Sequence, residues 1–240
     1  MSSHGGRRDT ARVVLVALFV TALVTAQLTA SKVLAVPLPG EAPVVGATVF
    51  LPGAALAYAL TFFASDCYAE LYGRRAAQEL VNVGFVMNFV LLALVWSTIL
   101  APAAPTSVDP GQFATVLGAS TNIVAGSLLA YVVSQNWDVL VFHALRERTG
   151  GRYLWLRNIG STATSQAIDT VIFVSVAFLV APTLLGTGQP LPTRVVVALI
   201  VGQYLLKLLI ALVDTPFVYA VVRFVSDGTA TEASPTWAAE

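Results

Sequence analysis

This chain of 240 residues holds little charge, one cysteine and two histidines. Each shortage excludes something. With Cys67 alone there is no intramolecular disulfide. His4 and His143 have no paired Cys/His spacing around them, so a metal site has no support in the sequence. Thirteen Lys and Arg balance thirteen Asp and Glu, leaving no basic field to recruit nucleic acid. There is no G-x-x-x-x-G-K-[ST] to cradle a nucleotide phosphate, no H-E-x-x-H and no G-x-S-x-G elbow. Enzymatic chemistry has no visible constellation, and no cofactor is expected. Charged residues make up only 11% of the chain and hydrophobic ones 57%, where a soluble domain carries roughly 25% charged residues. With a mean hydropathy of +0.79, this composition describes an all-α integral membrane protein.

A helix needs about 20 apolar residues to cross a bilayer. Six segments meet that length, at 13–36, 45–65, 77–100, 113–135, 158–180 and 195–222. The first run is longer than the apolar core of a signal peptide and ends in no clear cleavage site, so it reads as a retained helix. Pro37-Leu38-Pro39-Gly40, Ala101-Pro102-Ala103-Ala104-Pro105 and Gly186-Thr187-Gly188-Gln189-Pro190 break the runs apart, because proline lacks an N–H and glycine is permissive. Arginines fall at alternate ends. Arg7, Arg8 and Arg12 precede the first run, Arg74 and Arg75 follow the second, Arg146, Arg148, Arg152 and Arg157 join the fourth to the fifth, and Arg223 closes the sixth. The positive-inside rule then puts both termini in the cytoplasm of a plasma-membrane protein. The expected organisation is a cytoplasmic segment at 1–12, six transmembrane helices over 13–223 and a disordered tail at 224–240. No internal repeat is evident, although the helix count is compatible with three plus three.

Within the apolar runs a few polar residues stand out. Asp169 falls near the centre of the fifth, where a carboxylate costs about 2.5–3.5 kcal/mol on insertion scales. An ionisable residue at that depth is a functional-site hypothesis in its own right. Ser161, Ser165 and Asp169 recur at i, i+4 and i+8, on one helical face, with Gln166 at its edge. The sixth run carries Gln203, Lys207 and Asp214 on one face, with Pro216 beyond them as an expected kink. Asp169 and Lys207 therefore either neutralise each other or converge on a ligand. Ala22, Ala26 and Ala30 form a ridge of small residues suited to close helix packing, and Lys32 can snorkel to the outer interface. Asp66 and Asp138, beside aromatic residues near the inner ends of their runs, are secondary candidates. Glu70 and Glu79 read as solvated partners of nearby arginines.

The motifs Ser65-Asp66-x-x-x-Glu70-x-Tyr72-Gly73-Arg74-x-x-Ala77, Asp138-x-x-x-Phe142-x-x-Leu145-Arg146 and Leu154-Trp155-x-Arg157-Asn158-x-x-Ser161-x-x-x-Ser165-Gln166-x-x-Asp169-Thr170 resemble those of the queuosine precursor transporters. The resemblance spans about residues 27–219 and implies six helices and uptake of a 7-deazaguanine, most plausibly 7-cyano-7-deazaguanine, for tRNA modification. By motif position it points to Asp66, Asp138, Asn158, Ser161, Ser165, Gln166, Asp169 and Lys207 as substrate-binding residues. The chemistry agrees. A deazaguanine offers paired N–H donors that one carboxylate accepts in a bidentate contact, as it does from a guanidinium. Phe173, Tyr204 or Trp137 would stack on the flat base. The expected partners are this small molecule and membrane lipid, with a homodimer or an energy-coupling partner left open and no nucleic acid. Two other readings remain. One is the substrate-binding subunit of an energy-coupling-factor importer, with the alanine ridge as its docking face. The other is an intramembrane hydrolase built on Asp66, Asp138 or Asp169.

Overall fold

The structure is a computed structural model that describes residues 6–42, 46–150 and 153–232, apart from the side chains at 6, 42, 154–158 and 227–232. Along these residues the chain forms α1 (Gly6–Thr29), a hairpin of β1 (Val33–Ala42) and β2 (Gly46–Pro52), and then α2 (Ala55–Tyr72) and α3 (Arg74–Leu100). A short α4 (Pro110–Gly118) leads into α5 (Ser120–Arg148), then α6 (Leu154–Ser175), a π-helical turn (Val176–Val180), α7 (Ala181–Leu185) and the long α8 (Thr193–Glu232). Arg7–Thr29, Arg74–Leu100, Pro110–Arg148, Ile159–Leu185 and Thr193–Ser226 are long and apolar enough to cross a membrane. Their outward faces are apolar too. On α3, Val83, Val86, Phe89, Val90 and Leu94 are exposed, and on α8 so are Leu208, Leu209, Leu212 and Phe217. In water such faces would be a liability; in a bilayer they meet lipid.

The expected second span, 45–65, is where the fold departs from the sequence reading. Its first half is not helical: Gly46–Pro52 pairs antiparallel with β1, Val36 opposite Val49 and Val33 opposite Pro52, with an irregularity between Pro37 and Ala42. The end of the expected first span, Val33 to Val36, lies in the same hairpin. Local chemistry explains this. Pro37 and Pro39 supply no N–H to a helix, and the β-branched and aromatic run Thr48-Val49-Phe50 favours a strand. The helix that remains, α2, starts at Ala55 and carries Asp66 and Glu70 near its end.

Two compact units divide the chain. The first comprises residues 1–26, 56–89 and 207–240. Its core is Leu15 and Phe19 of α1, Ala64, Cys67, Tyr68 and Leu71 of α2, Ala77 and Leu80 of α3, and Val218 and Val225 of α8. Polar contacts tie its helices together: Arg12 Nε donates to the Tyr68 hydroxyl at 3.0 Å, and the Tyr72 hydroxyl donates to the Arg8 carbonyl at 2.6 Å. Gly73, at φ 90°, makes the left-handed turn between α2 and α3 that other residues adopt only under strain. Arg75 and Glu79 form an exposed pair at 3.4 Å, the solvated partnership expected of Glu79. Here α8 runs through Pro216 and on to Glu232, past the Arg223 at which the sequence reading ends it.

The second unit comprises residues 27–55 and 90–206. The hairpin packs against the end of α1 and against α8: a side chain at Gly53 would strike the Thr29 carbonyl, and one at Gly202 the Phe50 carbonyl. Asp109 starts α4 by accepting from Gln112 N–H at 2.7 Å, and Pro110 occupies the first turn, where its missing N–H costs nothing. Of the alanine ridge, Ala22 and Ala26 of α1 and Ala30 just beyond it are each buried.

Candidate functional site

The site is built on the α5–α6 pair. The contacts between them run in opposite order along the two helices, so the pair is antiparallel. Gly126 faces Phe173 and Ala177, Trp137 Nε1 donates to Thr164 Oγ1 at 3.2 Å, and Leu145 lies against Gly160. Along this seam the polar residues cross. Ser134 Oγ on α5 donates to Asp169 Oδ1 on α6 at 3.3 Å, and Ser165 Oγ on α6 donates to Asp138 Oδ1 on α5 at 3.3 Å. Ser134, Ser161 and Ser165 are buried, and Asp138, Gln166 and Asp169 are half-buried. The predicted Ser161, Ser165, Asp169 stripe is therefore a real face, and α5 is what it meets.

The two crossed pairs are one motif written twice. Ser134-Gln135-x-x-Asp138 on α5 repeats as Ser165-Gln166-x-x-Asp169 on α6. Serine and aspartate one turn apart lie on one face of a helix. Two such faces set antiparallel place each serine opposite the other helix's aspartate. The repeat was present in the sequence and was missed, because a five-residue match carries little weight until the helices are known to be neighbours. Ser134 was missed with it.

Each serine also points at its own helix: Ser134 Oγ is 3.3 Å from the Tyr131 carbonyl and Ser165 Oγ 3.1 Å from the Thr162 carbonyl. One hydroxyl proton cannot serve two acceptors at full strength. A carboxylate offers about four acceptor positions. The arrangement thus presents two carboxylates held in place by long, shared hydrogen bonds, next to the side chain of Gln166.

The other expected site residues divide. Lys207 is buried on α8 in the first unit, on the face it shares with Gln203 and Asp214, and Asp66 is exposed on α2 of that unit rather than deep. The second unit thus holds Asp138 and Asp169, and the first holds Lys207 and Asp66. The side chain of Asn158 lies outside the described residues. Of the aromatic candidates, Phe173 is buried edge-on to Phe178 at 6.1 Å, Tyr204 donates its hydroxyl to the Ala163 carbonyl at 3.3 Å, and Trp137 is partly exposed beside Thr164.

Two buried amides add acceptors. Gln27 and Gln203, both in the second unit, are 3% and 5% exposed, and neither Oε1 has a hydrogen-bond partner among the described residues. A buried acceptor left unsatisfied costs about 1–3 kcal/mol. Among the described residues no group of three or more His, Cys, Asp or Glu is placed to hold a metal ion.

Above the seam, α6 passes into the π-helical turn, where the Ala181 N–H reaches the Val176 carbonyl five residues back. Pro182 explains the irregularity. It has no N–H for the Phe178 carbonyl, its normal helical acceptor, and the Leu191 N–H takes that place at 2.9 Å.

The model of a protein family described as "Putative vitamin uptake transporter" matches residues 52–221. A curated relative, the "Probable queuosine precursor transporter" of Bacillus subtilis (strain 168), is 34% identical over 169 residues, covering 70% of this chain and 70% of the relative. No solved structure matches.

Proposed function

This chain belongs to the vitamin uptake transporter family defined by that match, and from this premise we propose that it imports a queuosine precursor, a 7-deazaguanine, for tRNA modification. It is a multi-pass membrane protein of a transporter family, and 7-cyano-7-deazaguanine is the substrate this reading favours. Both termini lie in the cytoplasm, following the arginine distribution. The observation that carries the reading is the crossed Ser–Asp motif on α5 and α6. A deazaguanine presents ring N–H and exocyclic amine donors on one edge. A carboxylate accepts such a pair in two parallel bonds, stronger than neutral ones. Asp169 reads that edge, with Asp138 as its counterpart, while Gln166 donates to the ring carbonyl. Ser161 and Ser165 line the path. Asn158, Asp66 and Lys207 belong to the set by motif position only.

The test is uptake by a strain unable to make the precursor. Supplied with the 7-cyano base, that strain regains modified tRNA when it expresses this chain and not when it carries an empty vector. If it regains none while the protein is inserted in the membrane, the substrate is wrong. Uptake in a host that lacks any energy-coupling ATPase module would set aside the energy-coupling reading.

Gln203 gives a second check. Its unpartnered Oε1 is taken here as an acceptor for substrate, so Gln203→Leu is expected to raise the melting temperature in detergent while lowering uptake. Removing an unsatisfied buried acceptor returns about 1 kcal/mol or more. A purely structural glutamine would give the opposite pair of results, a lower melting temperature with uptake per folded molecule unchanged.

A further inference from the structure

A cavity of about 470 Å³ opens in the second unit among the end of α1, the start of α5, the π-helical turn and the segment that follows α7. Its size is that of a small-molecule site, which typically runs about 300–1,000 Å³. We propose that this cavity is the entry site for substrate, and that it selects the uncharged cyano base over its cationic aminomethyl relative. The inference rests on the transport reading above and extends it to selectivity.

Position comes first. The cavity lies at the C-terminal end of α1 and the N-terminal end of α5, whereas the arginines of those helices, Arg7, Arg8, Arg12, Arg146 and Arg148, lie at their opposite ends. In the proposed orientation the cavity therefore faces outward. The π-helical turn supplies part of its wall, and such turns recur at functional sites.

The lining chemistry comes next. Most of the wall is apolar, including the ring of Phe178, and suits a flat heterocycle. Beside hydroxyls and the Gln189 amide, which both donate and accept, the polar groups include two donors, on Asn122 and Lys32. Asn122 is 5% exposed, and its Oδ1 accepts from the Thr187 hydroxyl at 2.6 Å, which leaves its NH2 as the group to offer. Lys32 adds an ammonium at the mouth, beside Ser31. Among the described residues that line the cavity, none carries a negative charge. A nitrile nitrogen or a ring carbonyl finds donors here. A protonated aminomethyl group finds a like charge and no counter-ion, which at cavity distances disfavours it by about tenfold. One turn inward from Ser31 on α1 sits Gln27, whose buried and unpartnered Oε1 is the next acceptor for the base's N–H edge.

The experiment measures initial uptake of both bases, 7-cyano-7-deazaguanine and 7-aminomethyl-7-deazaguanine, in the precursor-deficient strain and reports their ratio. The ratio cancels differences in expression. Wild type is expected to favour the neutral base, Lys32→Glu to lower the ratio by about tenfold or more, and Lys32→Gln to lower it by an intermediate factor. Asn122→Leu is expected to reduce uptake of the cyano base while keeping the preference set by Lys32. A wild-type preference for the cationic base, or a ratio unmoved by Lys32→Glu, overturns the entry site while leaving transport standing. Uptake of neither base by wild type overturns the transport reading, and the entry site with it.

Discussion

Asp169→Ala is expected to abolish rescue of tRNA modification at matched membrane levels, with initial uptake down by at least about tenfold. The estimate follows from the contact it removes. Hydrogen bonds to an ionised group contribute about 1.5–3 kcal/mol, and each 1.4 kcal/mol is a factor of ten. Asp169→Asn keeps the shape but replaces an acceptor-only group with an amide, so it is expected to fall nearly as far. Ser134→Ala removes one long donor at 3.3 Å and is expected to reduce uptake only a few-fold. The exchange Ser134→Asp with Asp169→Ser separates the two roles of the carboxylate. It preserves a hydroxyl–carboxylate pair across the same seam but moves the charge to α5. If the pair serves only to hold the helices, the exchange works as well as wild type; if Asp169 reads the base, it does not. Uptake by Asp169→Ala equal to wild type would sink the assignment.

A large effect on the fold is expected from Gly126→Leu. A β-carbon at Gly126 would stand 2.9 Å from both the Phe173 carbonyl and the Ala177 β-carbon, and 3.1 Å from the Ala177 nitrogen. Two of these neighbours are backbone atoms and cannot turn aside. Overpacking usually costs about 1–3 kcal/mol, and a rigid backbone places this variant at or above the top of that range. Against a typical total of 5–15 kcal/mol, that is a large share. The variant should accumulate poorly and melt many degrees lower in detergent. Gly40→Ala, whose added carbon meets nothing within 4 Å, is the matched control and should behave as wild type. Normal melting of Gly126→Leu would mean that α5 and the α6–π segment pack less closely than the structure has them.

Membrane class, five of the long helices and the polar face of α6 were legible in the sequence, because each is written in a local signal: hydropathy over about 20 residues, or a spacing of four. The hairpin was not. Residues 33–52 are apolar enough to imitate the end of one span and the start of another, and hydropathy alone cannot separate a short apolar strand from a helical segment. Its prolines were read as punctuation between helices, when they lie within β1. The site was half legible. Asp169, Ser165 and Asp138 could be named, but each was considered on its own helix. Which helix faces which is a non-local fact, so Ser134 and the reciprocal pattern emerged only with the fold. Within its own unit Asp169 accepts from Ser134, a contact no single-helix pattern announces.

The crossed Ser–Asp pairs also fix what can move. An α-helix rises 5.4 Å per turn, the spacing of serine from aspartate within each motif. Suppose α6 slid by one turn along α5. In one direction Asp169 would come level with Asp138, setting two carboxylates against each other. In the other, Ser165 would come level with Ser134 and Asp169 with Ala130, so Asp169 would lose its donor even though Asp138 would meet Ser161. Only the observed setting satisfies both helices, so the seam behaves as a key cut for a single position. Relay of a solute across the bilayer by one-turn slippage between these two helices is thereby disfavoured on both sides. The α5–α6 hairpin would then travel as one rigid arm through the transport cycle, and the sliding or hinging surfaces must be sought among the other elements.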